Sequence, residues 1–365
     1  MRIQELDAGT ESRYEELLAK SPTVLMYHSL KYRNFLRKIL SRSTDCYLLA
    51  LEGERVVAAL PAFIKHGACG AVVNSLPFCG SNGAIVAEEG AGVSVKRALL
   101  DAFDDLCRRE RAITSTLVSN PLNPDSELFA GYGADLLDMR IGQLTPLPAE
   151  PNPDAVEDRL MALFHSKTRN IVRKGLKSGF VLAHDDSMET LRRLQDIHVA
   201  NMQAVNGPVK PWAVCEAIRG TFAYDTDYRV YTAKKDGEVR AALLVFFYNG
   251  IAEYYMPAIQ EEYRAEQPLS GLILAAMKDA VGRGCRWWNW GGTGLALDGV
   301  YHFKSRWGTQ DMNYWYHTKF HVDAAGPKSL SKEELLREYP YFFVLPFKAL
   351  ENKLEACDAQ QRNRE

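Results

Sequence analysis

The stretch CYLLALEGERVVAAL, residues 46–60, decides the fold when it is set beside VYTAKKDGEVRAALL, residues 230–244. Each holds an apolar-rich run, a Gly-Glu turn and a second run containing Ala-Ala. Gly53-Glu54 of the first sits over Gly237-Glu238 of the second, about half of the 365-residue chain away. β-rich arms on either side of a Gly-containing turn read as a β-hairpin, so each stretch predicts one.

The flanks repeat with the hairpins. A helical stretch precedes each, at 11–19 and 188–204; in the second, Leu191, Leu194, Ile197, His198 and Met202 recur at helical spacing. An extended run follows each hairpin, at 71–76 and 251–259. A helix comes next, at 93–109 and 269–283, and it leads to a strand at 112–118 or 285–290. Helix, antiparallel hairpin, strand, helix, strand therefore occurs twice, which points to duplication. Two copies are too few for a solenoid. The expected fold is mixed α/β (α+β): two similar domains in tandem, each a mostly antiparallel mixed sheet flanked by helices.

The stretch 142–155, GQLTPLPAEPNPDA, holds four prolines and reads as a linker. The expected organisation is a first domain at 1–145, a linker at 146–157, a second domain at 158–325 and a helical tail at 326–365. In the tail, helices are expected at 330–338 and 347–356. The run YPYFFVLPF between them either docks on the body or touches a membrane surface.

Composition narrows the class. Hydrophobic residues make up 47% and charged residues 25%, a globular balance that excludes general disorder. A net charge of −2 disfavours a nucleic-acid-coating surface, DNA included, while leaving room for a local basic patch. The seven cysteines are scattered with no CxxC pair, which suits a reducing compartment better than a disulfide framework or a thiolate zinc site. The N-terminus carries acids where a secretory signal needs a basic head and an apolar run. No stretch approaches the ~18 apolar residues of a membrane helix. The expected location is cytoplasmic.

No P-loop, HExxH or GxSxG motif is present. The eight histidines form no metal-spaced group. His317 and His321 lie four apart on an expected strand, too far to clamp one ion, and no metal is expected. Gly291-Gly292-Thr293-Gly294 follows a strand, but a dinucleotide loop needs a helix directly after it, and LALDGVYHF shows no helical stripe. The glycines read instead as a turn that lets backbone or substrate approach closely.

Three segments carry candidate chemistry. The densest is WWNWGGTGLALDGVYHFKSRWG, 287–308, where glycines and aromatics meet Asp298, Lys304 and Arg306 in an expected loop-and-return element. Such loops tend to form pockets, although Trp287 and Trp288 are equally readable as core and Lys304 as an ordinary surface lysine. The second is the strand IAEYYMPAI, 251–259. Alternation puts Glu253 and Tyr255 on one face and Tyr254 and Met256 on the other, and a carboxylate or phenol at a strand end can shuttle a proton. The third is SKTRNIVRKGLKSG, 166–179. Arg169, Arg173, Lys174 and Lys177 recur three or four apart, a basic helical stripe that either takes phosphates or is a solvated face.

Together FHSKTRNIVRKGLKSG, the run from EYYMPAI to WNWGGT, and DGVYHFKSRWG resemble the Fem family of aminoacyl transferases and related Fem-like members of the GNAT acyltransferase superfamily. The resemblance covers about 160–320 and extends more loosely over SLPFCGSNGAIV, 75–86. It implies two tandem GNAT-like domains, in agreement with the repeat. It also implies transfer of an amino acid from aminoacyl-tRNA to an amine of a peptidoglycan precursor, or acetyl or acyl transfer. In the family's GLYxFKxxFG-like motif the lysine stabilises the reacting carbonyl, and it maps onto Lys304 in GVYHFKSRWG. The family's channel-lining tyrosines map onto Tyr254 and Tyr255.

The chain departs from the pattern twice. It lacks the long helical arm through which some Fem members are proposed to bind tRNA. The RxxGxG/A-type loop that holds a coenzyme's pyrophosphate is replaced by YRAEQPLSGL. The expectation is N-acylation of an amine on a cell-envelope, sugar or peptide precursor. No bound cofactor is expected, since the acyl donor is a co-substrate, aminoacyl-tRNA ahead of acyl-CoA. Lys304 is expected at the oxyanion and Tyr254, Tyr255 or Glu253 at the proton. Arg169, Arg173, Lys174, Trp290, Gly291, Gly292, Asp298, Tyr301 and Arg306 are expected around the substrates. A non-catalytic binding protein on the same fold is the rival from another class. In the second copy lie all of these residues; AITSTLVSN in the first has no counterpart of them.

Overall fold

The computed structural model describes residues 1–78, 80, 82–295 and 297–346. Within these the chain runs β1 (Arg2–Glu5), α1 (Glu11–Lys20), α2 (Leu30–Ile39), β2 (Ser43–Glu52), β3 (Arg55–Gly67), β4 (Gly70–Ser75), β5 (Val86–Ala87), α3 (Val93–Arg109), β6 (Ala112–Val118), α4 (Ser126–Ala130) and β7 (Leu136–Pro146). It continues α5 (Pro153–Leu163), α6 (Ser166–Lys177), β8 (Val181–His184), α7 (Met188–Ala204), α8 (Trp212–Arg219), β9 (Tyr228–Lys235), β10 (Glu238–Tyr248), β11 (Ile251–Ile259), α9 (Pro268–Gly282), β12 (Trp287–Gly294), α10 (Asp298–Ser305), β13 (Gln310–Phe320), α11 (Ala325–Ser329) and α12 (Lys332–Glu338).

The chain divides into two compact units, one made of 1–140 and the segment from Asn313 onward, the other of Ile141–Met312. In the first unit the strand order is β1-β2-β3-β4-β6-β13, with β5 beside β3. All its neighbours are antiparallel except β4 and β6, which run parallel. In the second unit the order is β7-β12-β11-β10-β9-β8, with β11 and β12 parallel and β8 to β11 antiparallel in succession. Both repeated hairpins form. In the second, Glu238 faces Lys235, so the loop is the two residues Asp236-Gly237. Both have positive φ, +54° and +79°, the backbone of a type I′ turn, which matches the twist of the arms.

Each sheet is covered by the helix that links its parallel strands, since a parallel pair needs a crossover and a helix supplies it. In the first unit the Leu99, Phe103 and Leu106 face of α3 packs on Leu48, Leu60 and Val73. In the second, α9 is buried nearly all round, with Leu272, Ile273, Ala276, Met277 and Ala280 inaccessible, so it reads as apolar on every face.

Several segments depart from the sequence reading. The expected linker 142–155 begins as strand: 141–146 of β7 lie beside β12, with Gln143, Leu144 and Thr145 fully buried. It ends as helix, because Pro153 starts α5, where its missing N–H costs nothing, under an Asn152 cap. The expected loop-and-return element contains a helix, α10. That helix has no amphipathic stripe, and it is held through Phe303 and Lys304, which turn inward. Helices α2 and α8 were not anticipated. The tail helix expected at 330–338 is α12; the one at 347–356 lies outside the described residues. Asn313–Phe320 of β13 closes the sheet of the first unit, as antiparallel partner of β6 (Tyr316 opposite Val118).

The aromatic run at 339–346 docks on the first unit. Tyr339 is fully buried, its hydroxyl donates to Gly70 O (3.0 Å), and its ring lies where a Cβ on Gly67 would stand. Asn74 clamps the next turn: Nδ2 donates to Phe343 O (2.8 Å) and Oδ1 accepts from Phe343 N (2.7 Å). Val344 and Leu345 are buried there too. The residues that a membrane contact would need exposed are thus largely spent on packing. No helix among the described residues is long and apolar enough to cross a membrane.

Candidate functional site

The second unit contains a connected line of buried polar groups, and Gly291 is its centre. Strand β12 carries Trp288 and Trp290 into the core, while Asn289 between them turns to the other side. Asn289 Nδ2 donates to Glu253 Oε1 (2.9 Å), across the parallel pair in which Glu253 and Asn289 are register partners. Asn289 Oδ1 accepts from Gly291 N (2.9 Å). Gly291 takes φ +73°, open to glycine at little cost, and breaks the strand's alternation there. On its other side, Gly291 O accepts from Lys304 Nζ (3.3 Å).

Lys304 is held on neutral oxygens. Its ammonium also donates to Gly292 O (3.3 Å) and Thr293 Oγ1 (3.0 Å). Thr293 in turn donates to Gln143 Oε1 (3.0 Å), and Gln143 Nε2 donates to Tyr301 O (3.4 Å). Lys304 is 7% exposed, and no carboxylate pairs with it among the described residues. Burial alone pushes its pKa down to about 8. A cation this enclosed without a counter-charge keeps its field for whatever anion develops beside it.

Local packing explains why the lysine sits there. Trp307 is fully buried and meets Phe164 edge-on at 4.9 Å, and His165 N donates to Arg306 O (2.9 Å). Gly308 has φ +74°, and a Cβ there would lie 2.8 Å from Leu163 O. The FHSK and SRWG pieces of the sequence are therefore two sides of one contact, which fixes the C-terminal end of α10.

Strand β11 bulges beside this line. Leu244 of β10 faces Met256 while Val245 faces Tyr254, so Tyr255 is the extra residue. Tyr255 meets Phe246 edge-on at 4.9 Å, and the Lys210 ammonium lies 5.1 Å over its ring. Tyr254 points the other way, against Trp290 (4.9 Å), and burial pushes its phenol pKa up. Glu253 is 3% exposed.

The remaining expected residues are scattered around this line. Trp290 belongs to the core instead of an open cleft, with Nε1 donating to Thr145 Oγ1 (2.9 Å). Gly292 is exposed and Gly291 half-buried. Tyr301 donates to Asp311 (2.8 Å). Asp298 and Arg306 are exposed, and among the described residues Asp298 pairs with neither Lys304 nor Arg306. On α6, Arg173, Lys174 and Lys177 form an exposed face with no acidic partner among the described residues, whereas Arg169 turns inward and donates to Phe164 O. Sequence reasoning passed over Asn289, Thr293 and Gln143. Uncharged residues carry no motif; the only signal for Gln143 was a polar side chain inside the apolar alternation of IGQLTP.

The start of α9 is not shaped for a pyrophosphate. It begins with Pro268, which has no N–H, and Ser270 N and Gly271 N both turn back to Gln267 O (3.1 and 3.4 Å). Helix α6 crosses it so closely that a Cβ on Gly175 would lie 2.3 Å from Gln267 O and 3.1 Å from Gly271 N. The residues present do not fit coenzyme A at that position.

Each unit has a parallel strand pair bridged by a helix, and in the second unit a buried ammonium lies at the end of one strand of that pair. Residues 165–305, within the second unit, match the family described as an acetyltransferase (GNAT) domain. Among solved structures, FemX covers 86% of this chain over 97% of its own at 14% identity, with a TM-score of 0.68. A tandem GNAT protein from the clavulanic acid biosynthesis pathway covers 88% over 99% of its own at 16% identity, with a TM-score of 0.56. The fold is thus Fem-like and of the GNAT type. No curated protein matches the sequence.

Proposed function

We propose that this chain is an N-acyltransferase that moves an aminoacyl group from its ester on tRNA to an amine of a cell-envelope, sugar or peptide precursor. The observation that carries the reading is Lys304 of α10, whose buried ammonium lies at the end of β12 with no carboxylate partner among the described residues. The acceptor amine attacks the ester carbonyl carbon and a C–N bond forms. The carbonyl oxygen becomes an oxyanion, which replaces one of the two 3.3 Å carbonyl contacts of Lys304. A charge-assisted bond to an oxyanion is shorter and stronger than either, so the exchange is downhill as charge develops. The intermediate collapses with loss of the C–O bond, and the ribose oxygen leaves with the proton that the amine gave up, returned to it by the group that accepted it.

The proton of the attacking amine goes to Glu253. Of the three strand residues considered, it alone is tied through Asn289 and Gly291 to the lysine. Tyr254 is a poor base, because its pKa is raised and its ring is committed to Trp290. The exposed cations Arg173, Lys174 and Lys177 hold donor phosphates, and the exposed rim around Gly292, Asp298 and Arg306 receives the acceptor. The closed start of α9 favours the tRNA ester over a coenzyme thioester. The test is a donor screen with the full-length protein: radiolabelled aminoacyl-tRNA and acyl-CoA are each offered with an amine acceptor, with and without ribonuclease. Ribonuclease-sensitive transfer supports the reading. Transfer from acyl-CoA alone replaces it with the coenzyme-dependent reaction, and no transfer from either favours a binding protein.

A further inference from the structure

Helix α10 leaves part of its inward face uncovered. Phe303 and Lys304 turn inward from that face, and Val300, three and four residues earlier, shares it one turn nearer the helix start. Val300 is nevertheless 43% exposed. Leu297, whose carbonyl accepts from Tyr301 N (3.0 Å) as the helix begins, continues the same line at 53%, and Leu295 just before it stands at 51%. Asp298 falls on the opposite side of the helix. Single exposed apolar residues are ordinary, but three within six positions make a patch.

This patch borders the reacting position. A helical side chain leans back toward the helix start, so the Lys304 stem runs over the turn that Val300 occupies. Its ammonium ends on Gly291 O, Gly292 O and Thr293 Oγ1, and Leu295 comes two residues after Thr293. Toward the other end of the helix the face is filled: Phe303 meets Trp290 and Trp307, and Trp307 is fully buried. A group whose carbonyl oxygen rests on the ammonium therefore finds core on one side and Val300, Leu297 and Leu295 on the other.

Reach decides what covers them. One helical turn advances about 5.4 Å, and the side chain of an aminoacyl group starts one atom away from the carbonyl carbon. A side chain the size of leucine's spans that turn, whereas that of alanine stops short of it.

We infer that the first turn of α10 is the subsite for the acyl side chain, and that the transferred aminoacyl group is a large apolar one, leucine-like, whose side chain lies on Val300, Leu297 and Leu295. The inference rests on the acyl-transfer reading of Lys304. It divides the rim of the site: the apolar side of α10 takes the acyl group, and the side that carries Asp298 is left to the acceptor.

The test offers full-length protein one tRNA body charged in turn with leucine and with asparagine, whose side chain has nearly the same shape but is polar, together with an alkylamine acceptor. Leucyl transfer is expected to be about tenfold faster in single turnover. Val300→Thr combined with Leu297→Asn, both nearly isosteric changes at exposed positions, brings the two rates to within about twofold. Binding separates this inference from the transfer reading. The 3′-leucylamido and 3′-asparaginylamido derivatives of adenosine, whose amide resists transfer, are titrated by calorimetry, and the same preference of about tenfold is expected. If neither ester is transferred but the leucyl amide keeps that preference, the subsite stands and the transfer reading falls. Equal binding of the two amides, or equal rates where both esters are transferred, overturns the inference, as does a leucine preference that the double variant keeps. A dependence on the alkyl length of the acceptor that the double variant removes gives the patch to the acceptor and overturns it as well.

Discussion

Replacing Lys304 with methionine separates the chemistry from the fold. The ammonium sits in a site that lowers its pKa from 10.5 to about 8, which corresponds to roughly 3 kcal/mol of unfavourable burial when both folded and unfolded states are charged. Methionine keeps the apolar stem and removes that cost. Against the gain stand the Gly291 and Gly292 carbonyls, which each lose a long donor at about 1 kcal/mol apiece. Thr293 keeps its bond to Gln143. Net stability is therefore expected to change by no more than about 1–2 kcal/mol in either direction. The rate is another matter: losing one preorganised oxyanion donor lowers kcat about 100- to 1000-fold. The assay is single-turnover transfer from the donor that the screen identifies, beside urea unfolding of the same samples. The pH dependence adds a second reading. Above pH 8 the folded protein has released the Lys304 proton while the unfolded chain still holds it. Stability thus rises with pH between about 8 and 10.5 as kcat/KM falls. The methionine variant loses both slopes. If it keeps more than a tenth of the wild-type rate, or if the wild-type rate climbs through pH 8–9, the ammonium does not act on the oxyanion.

Other perturbations probe the neighbouring features. Asn289→Leu cuts the line between Glu253 and Gly291 and is expected to lower kcat at least tenfold and to shift the acidic limb of the pH–rate profile; an unchanged profile removes Glu253 from the proton path. Reversing Arg173, Lys174 and Lys177 together to glutamate is expected to raise the KM for the donor and flatten its salt dependence, with thermal stability nearly unchanged because all three are exposed. Gly175→Ala forces α6 away from the start of α9 and is expected to cost about 1–3 kcal/mol in urea unfolding. Tyr339→Ala removes a fully buried ring from the first unit and is expected to cost about 3–5 kcal/mol.

Much of the architecture was legible because the two hairpins announce themselves. Gly53 and Gly237 mark turns, the arms are β-rich, and the strands at 112–118 and 251–259 fall where the sequence puts them. What stayed hidden depends on tertiary partners. The segment Asp298–Ser305 holds Gly299 and the β-branched Val300, poor helix formers, and it becomes helical only because Phe303 and Lys304 find a core and a set of oxygens to face. The candidate site was legible in its charged members and silent in its neutral ones. Glu253 draws attention by type and Lys304 by its place in GVYHFKSRWG, but Asn289, Thr293 and Gln143 earn their place only through hydrogen bonds between segments distant in sequence.

The strand that completes the first unit has a consequence for biosynthesis. Residues up to 140 emerge from the ribosome first, yet β6 waits for Asn313–Phe320 as its partner, on the far side of the entire second unit. At about 5–20 residues per second, translating those roughly 170 intervening residues takes some 10–35 s. Through that interval the nascent sheet presents an open edge along β6. A truncated chain ending after the second unit would never close it. Folding of the amino-terminal part is then governed by events at the carboxyl end, and until they occur the unpaired edge is open to wrong strand pairing.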